Sequence, residues 1–253
     1  VVQTFRTFTN WGPILAELLG GRRAAESLTF KTRTGLTISC PNVPGARVPV
    51  YEVFAEDTYH LTAFLGPALR EPLKVIDIGA HVGTFACELA RLAPAAQIYC
   101  FEPSPVTAGY LERNVAVNGL TARIRVSRAA VAAKVGEAVL VDNGGGSALN
   151  SLAASSADSG VAVPTTTFDA ITEEIGGAQF VKIDCEGGEY DLVFGSAPES
   201  WRSVQRLVIE YHPHPEHDWA ELRAWFAERG LEVADVDAAT PQQGTAWLVR
   251  VGT

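Results

Sequence analysis

Acidic side chains and a histidine stand at the ends of four apolar runs. Asp77 lies in VIDIGAHVGTF (Val75 to Phe85), Glu102 ends QIYCFE, Asp184 and Glu186 end FVKIDCE, and Glu210 and His212 end RLVIEYH. An ionised carboxylate only accepts hydrogen bonds, so one of these suits a pair of neighbouring hydroxyls. A carboxylate or an imidazole also suits removal of a proton from a reacting group. His212 is the natural general base near neutral pH. Glu186 serves directly or orients it, and Asp184 is the third candidate. One acidic residue after a strand often does no more than cap a helix. Four strand ends carrying such groups point instead to a common site, because open parallel sheets hold ligands outside the carboxyl ends of their strands.

These residues need a scaffold that gathers them. From Leu73 onward, short apolar runs alternate with helical stretches: KVIDIG before a helix through Leu92, QIYCFEP before Val106 to Asn118, then RIRVSRAAV. FVKIDCEGG precedes a helix near Glu189 to Phe194, and RLVIEYHP precedes one from Glu216 to Arg229. Such alternation predicts an α/β domain with a mostly parallel, doubly wound sheet. LEVADVD and GTAWLVRVG read as a closing hairpin whose last strand is antiparallel. Residues 1–70 form a small α+β extension ahead of a cofactor-binding domain at 71–253. The extension has a helix from Trp11 to Glu26, three β-prone runs (LTFKTRT, LTISC, RVPVYEVF) and a short helix from Asp57 to Leu65.

The first glycine turn narrows the ligand. A dinucleotide fingerprint needs G-x-G-x-x-G, whereas this turn reads GAHVG and lacks the glycine that admits a pyrophosphate. No GxxxxGK[ST] phosphate loop occurs. What remains is a cofactor with a ribose and no phosphates to cradle. Glu102, 25 residues after Asp77, is placed to accept from both ribose hydroxyls, and its charge suits a cationic sulfonium. S-adenosylmethionine meets these requirements.

VIDIGAHVGTF, FEPSPVTAGYLERNVAVNG, FVKIDCEGGEYDLVFG and LVIEYHP, in this order and spacing, resemble the FkbM family of S-adenosylmethionine-dependent methyltransferases. The resemblance spans roughly residues 50–215, and KIDCEGGE is its most specific element. It implies a Rossmann-like, seven-stranded class I methyltransferase sheet with an antiparallel last strand. It also implies O-methylation of a polyketide, sugar or other specialised metabolite. On this reading Gly79, Ala80 and Gly83 line the methionine part of the cofactor, and Asp77 organises their loop. Glu102, Pro103 and Ser104 follow the second strand, with Ser104 also suited to cap a helix. The small residues around Ala130 leave a slot for adenine. Asp57 and Tyr59 close over the cofactor, with Asp57 equally suited to cap a helix, and Asp184 contributes from the fourth strand. His81 stands where the family often has a small or amide side chain, and Lys182 pairs with a carboxylate.

A divalent metal is the rival use of the same groups. HPHPEH brings His212, His214 and His217 close in sequence, with Asp184 and Glu186 as oxygen donors. Pro213 and Pro215 forbid the helical spacing of a zinc pair, so a metal is not favoured. The net charge of −9 and the lack of basic runs argue against a nucleic-acid partner. An N-methyltransferase or a non-catalytic cofactor-binding protein are the other readings; the [DNS]PP[YFW] signature of the former is replaced here by IDCE. Scattered cysteines without a CxxC pair, and the lack of a long apolar run or signal pattern, point to a cytoplasmic protein without a membrane partner. The apolar N-terminal helix offers a surface for a homodimer. The glycine- and serine-rich stretch 143–160 reads as a surface loop or a lid over the site. The acceptor itself, a small hydroxylated molecule, is not specified by these residues.

Overall fold

The computed structural model describes residues 2–18, 26–43, 45–141, 151–153 (main chain only) and 160–252. Ahead of the sheet come α1 (Val2–Thr7), α2 (Trp11–Leu18), the hairpin β1 (Ser27–Lys31) and β2 (Thr37–Pro41), α3 (Val48–Tyr51) and α4 (Leu61–Leu65). The main domain follows with β3 (Lys74–Ile78), α5 (Thr84–Leu92), β4 (Gln97–Phe101), α6 (Pro105–Val117) and β5 (Ile124–Ser127). Next come β6 (Ala130–Val131), β7 (Gly136–Val141), β8 (Ser151–Ala153), β9 (Val161–Thr166) and α7 (Phe168–Ile175). The chain then forms β10 (Phe180–Ile183), α8 (Glu189–Phe194), β11 (Arg206–Tyr211), α9 (Trp219–Ala227), β12 (Leu231–Thr240) and β13 (Gln243–Arg250).

Seven strands form one sheet in the order β12-β13-β11-β10-β3-β4-β5. β5, β4, β3, β10 and β11 are parallel neighbours, and β13 runs antiparallel between β11 and β12. The expected doubly wound sheet with an antiparallel last strand is therefore present. From β3 the chain winds outward to β5, then returns to lay β10 on the other side of β3. Those adjacent strands mark the switch point, where such sheets open a crevice.

Two apolar layers cover the sheet because its buried strands carry hydrophobic residues on both faces. Val75, Phe180 and Val208 enter one layer, while Ile76, Val181 and Leu207 enter the other. The first layer also takes in Phe8, Phe30 and Val50 from the N-terminal elements. Two asparagines one turn apart, Asn114 on α6 and Asn118 at its C-terminal cap, fix the hairpin to it. Asn114 accepts from Ser39 N–H at 2.8 Å and donates to Ser39 O at 2.8 Å; Asn118 makes the same exchange with Thr37. Asn114 also donates to Val82 O, and it is buried. Asn114→Ala is expected to cost about 2–3 kcal/mol through the orphaned Ser39 and Val82 groups. Urea unfolding should show a lower midpoint at an unchanged slope.

Several local expectations are corrected. RVPVYEVF is helical, not extended: α3 runs into a π-helical turn at Glu52–Glu56. Val50 and Val53 are its buried residues, three positions apart as on a helix face. The helix expected from Asp57 begins at Leu61, with His60 preceding it. Asp57 instead ends the π-helical turn in the left-handed region, at φ 52°. RIRVSRAAV splits: β5 completes the large sheet, while β6 pairs with β9 in a second sheet ordered β6-β9-β7-β8. Within the 143–160 stretch, 151–153 pair with β7; positions 143–150 and 154–159 lie outside the described residues. So does the end of the Trp11–Glu26 helix beyond Leu18. No helix among the described residues is long and apolar enough to cross a membrane.

Candidate functional site

A cavity of about 290 Å³ opens outside the carboxyl ends of β3, β4, β10 and β11. Its floor is the turn after β3. Gly79 and Ala80 donate their N–H groups to Phe101 O at 3.0 and 3.1 Å, tying this turn to the end of β4. Gly79 has φ 72°, and a Cβ there would lie 1.7 Å from the main-chain oxygen of Asp184. Glycine is required, because main chain meets main chain at this point. Gly83 (φ 82°) precedes α5, packs on Leu111 and does not line the cavity.

Beneath the floor lies a buried ion cluster. The Lys182 ammonium is 3.5 Å from Asp77, 3.2 Å from Asp184, and donates to Gly79 O at 2.8 Å. Lys182 and Asp77 face each other because the register of β10 and β3 pairs them directly. Burial opposes charge on Lys182, but Asp184, Tyr59 and Asp77 outweigh it and hold its pKa well above the usual lysine range. Burial raises Asp77, and Lys182 only partly offsets this. Asp77 is thus fully enclosed and organises the turn from below, whereas Asp184 reaches the cavity.

Glu102 forms one wall. One carboxylate oxygen accepts from Ser104 N–H at 2.9 Å and from the Thr107 hydroxyl at 2.8 Å; the other accepts from His81 N–H at 2.8 Å. These donors fix the side chain and leave acceptor capacity on the oxygen that meets His81. Burial raises Glu102, and the three donors oppose the shift. Pro103, Ala129, Ala130, Val131 and Leu140 make an adjoining slot with apolar side chains. Ser104 lies behind the wall, where its hydroxyl accepts from Thr107 N–H and caps α6. Asp57 does not line the cavity; its side chain is 69% exposed. Tyr59 does line it.

The far end is acidic. Asp184, Glu186, Glu210 and Glu52 line it together with His212. Nδ1 of His212 meets Glu189 at 3.1 Å, and Nε2 lies 3.5 Å from Glu186 and 3.7 Å from Glu210. Glu189 is fully buried and held by the N–H groups of Cys185 and Gly187. Burial alone would lower His212, but Glu189, Asp184 and Glu186 push it up to about 9. Burial, reinforced by Asp184, pushes Glu186 up to about 7 and Glu210 up to about 8. Glu186 adopts φ 53°, a conformation a non-glycine residue keeps only under constraint. The sequence-predicted Asp184, Glu186 and His212 are thus brought together.

His214 and His217 are not part of this group. They stack on each other at 5.1 Å and pack on Tyr190. Glu189 and Glu52 were not among the sequence candidates, whereas Glu210 was named only as one of the strand-end groups, with no role of its own. Glu210 had a signal, since it precedes His212 by two positions and shares its side of the strand. Glu189 and Glu52 had none, because turns rather than strand ends deliver them. A second cavity of about 780 Å³ adjoins the first, sharing Cys185, Glu186 and Gly188 and bounded by β7, β9 and the prolines after His212.

Comparisons with known proteins agree with this architecture. The 31-O-demethyl-FK506 methyltransferase FkbM of Streptomyces tacrolimicus is 25% identical over 73% of this chain and 81% of its own length. Methyltransferase sdnD of Sordaria araneosa is 23% identical over 63% of this chain and 73% of its own. Among solved structures, a SAM-dependent methyltransferase from Agrobacterium tumefaciens superposes with a TM-score of 0.51 at 14% identity, over 91% of this chain and 72% of its own; this likeness concerns the fold alone. Glu102, with acceptor capacity to spare beside an apolar slot and a turn that admits only glycine, offers hydrogen-bonding chemistry that suits S-adenosylmethionine. The methyltransferase FkbM domain matches residues 77–233, and the chain belongs to that family of S-adenosylmethionine-dependent methyltransferases.

Proposed function

We propose that the chain is an O-methyltransferase acting on a hydroxyl of a small metabolite. The observation that carries this reading is the position of Glu186. It stands at the acidic end of the cofactor cavity, on the boundary with the second cavity, beside His212. A hydroxyl must lose its proton to become a methyl ether, so it needs a base where the two spaces meet. An amine or thiol needs that help less. A relative whose name specifies a 31-O-demethyl substrate supports oxygen as the acceptor atom.

When bound, S-adenosylmethionine supplies a methyl group on a cationic sulfur, which leaves as a neutral thioether sulfur. Glu102 accepts from the ribose hydroxyls, Pro103, Ala129 and Ala130 flank the adenine, and Gly79, Ala80 and Asp184 face the methionine part. Glu186 takes the hydroxyl proton, and His212, anchored by Glu189, holds Glu186 in place. Bringing the acceptor into line with the methyl group is the larger part of the work. The second cavity gives the acceptor its room.

Glu102→Ala tests the cofactor half. Losing hydrogen bonds to a charged acceptor is expected to weaken S-adenosylhomocysteine by about 1.5–3 kcal/mol, roughly tenfold to a hundredfold in Kd. Calorimetry on the folded variant reads this directly; unchanged affinity would remove Glu102 from the ribose site. Transfer of labelled methyl to a hydroxylated acceptor, with none to the matching amine, tests the acceptor half.

A further inference from the structure

We propose that Asp184, Glu210 and His212 bind a divalent cation of the Mg²⁺ or Mn²⁺ class, which holds the acceptor oxygen in front of Glu186. Use of the ion in catalysis rests on the O-methyltransferase reading; its binding does not. One ligand atom from each residue lies within 4.8 Å of the other two. Ligands of an ion bound at about 2.1 Å stand about 3.0 Å apart when neighbouring and about 4.2 Å when opposite, so the site closes by inward side-chain shifts of about 1 Å. Nε2 of His212 and Oε1 of Glu210 are 3.7 Å apart. Neighbouring ligands of a small metal ion stand about 3.0–3.5 Å apart, so this pair needs to close by only a few tenths of an ångström.

A second feature, outside the three ligands, points the same way. Glu189 takes Nδ1 of His212, and its own carboxylate is fixed by main-chain N–H groups of Cys185 and Gly187. The ring is thereby locked with Nε2 turned toward the carboxylates. Metal-ligating histidines are ordinarily held by a carboxylate or carbonyl on the other nitrogen in this way. Four carboxyl groups, Glu52, Asp184, Glu186 and Glu210, line one cavity, with Lys182, His81 and His212 as its basic residues. Pro213 and Pro215 forbid only a helical histidine pair. Here Glu210 and His212 reach the site from one strand end, and His214 and His217 are not needed.

One imidazole and two carboxylates suit a hard or borderline ion and leave octahedral positions for water and substrate. An acceptor oxygen in such a position has its O–H bond polarised. The proton passes to Glu186, and the oxygen keeps the electron pair that forms the O–CH₃ bond. Sulfur keeps the pair of the broken S–CH₃ bond.

Chelator-treated protein titrated with Mn²⁺ and followed by electron paramagnetic resonance tests the site. The expected result is saturable binding with hyperfine coupling from an imidazole nitrogen, displaced by excess Mg²⁺. Glu210→Gln and His212→Gln should each weaken it by about tenfold or more. No binding up to about 1 mM, or binding that survives both substitutions, overturns the site. S-adenosylhomocysteine calorimetry on the same samples separates the readings. Cofactor binding without Mn²⁺ binding rejects the metal alone, whereas Mn²⁺ binding with methyl transfer only to an amine rejects the O-methyltransferase reading and leaves the ion site standing.

Discussion

Glu186→Gln is expected to lower kcat by about 10²–10⁴-fold while S-adenosylhomocysteine affinity stays within about twofold. Glutamine keeps the size and the φ 53° backbone but cannot accept a proton. The loss belongs to the chemical step, so KM for the acceptor should change much less than kcat. A residual rate is expected because alignment of donor and acceptor survives the substitution. Single-turnover measurement with labelled cofactor reads the step directly. A variant that turns over at the wild-type rate would move the base elsewhere in the acidic cluster. A variant that loses cofactor affinity instead would make Glu186 a binding group.

Lys182→Met should be the most destabilising substitution in the domain, at about 3–5 kcal/mol. The ammonium lies beneath the cofactor turn, between Asp77 and Asp184, and is almost entirely enclosed. Removing it leaves two carboxylates near each other without their shared cation, and Gly79 O without its donor. Methionine fills the volume, so packing contributes little to the loss. Against a domain stability of about 5–15 kcal/mol the change is large, and urea unfolding should show it plainly. Adding Asp77→Asn should restore part of the stability, because deleting both members of a buried pair is milder than orphaning one. If the double variant is no more stable than the single one, Lys182 acts by packing and not by charge.

Much of the site was legible because strand ends announce themselves. A polar residue closing an apolar run in a parallel sheet has few places to point, and alternation puts Lys182 with Asp184, and Glu210 with His212, on one side. The closing hairpin was legible for a similar reason: LEVADVD and GTAWLVRVG offered no room for a crossover helix. Residues placed by irregular main chain were hidden. Glu52 arrives on a π-helical turn inside RVPVYEVF, whose valines, tyrosine and phenylalanine favour strand in isolation but here bury one helical face. Glu189 begins α8, where an acidic residue ordinarily serves the helix; its capture of His212 depends on how β10 and β11 lie side by side. Ser104 shows the converse, since its hydroxyl caps α6 and its main chain, not its side chain, reaches Glu102.

The contact between Gly79 and the Asp184 main chain has a consequence for how this enzyme could be re-engineered. It brings the turn that lines the cavity so close to the Asp184 main chain, two residues before Glu186, that no Cβ fits between them. On the proposed reading, this main-chain contact lies between the cofactor turn and the base, and a side chain at position 79 would push the two apart. If the second cavity receives the acceptor, its range is to be changed from the opposite bank, at Ala132, Ala133, Ala138 and Ala162, while the turn and the Glu186 loop stay as they are.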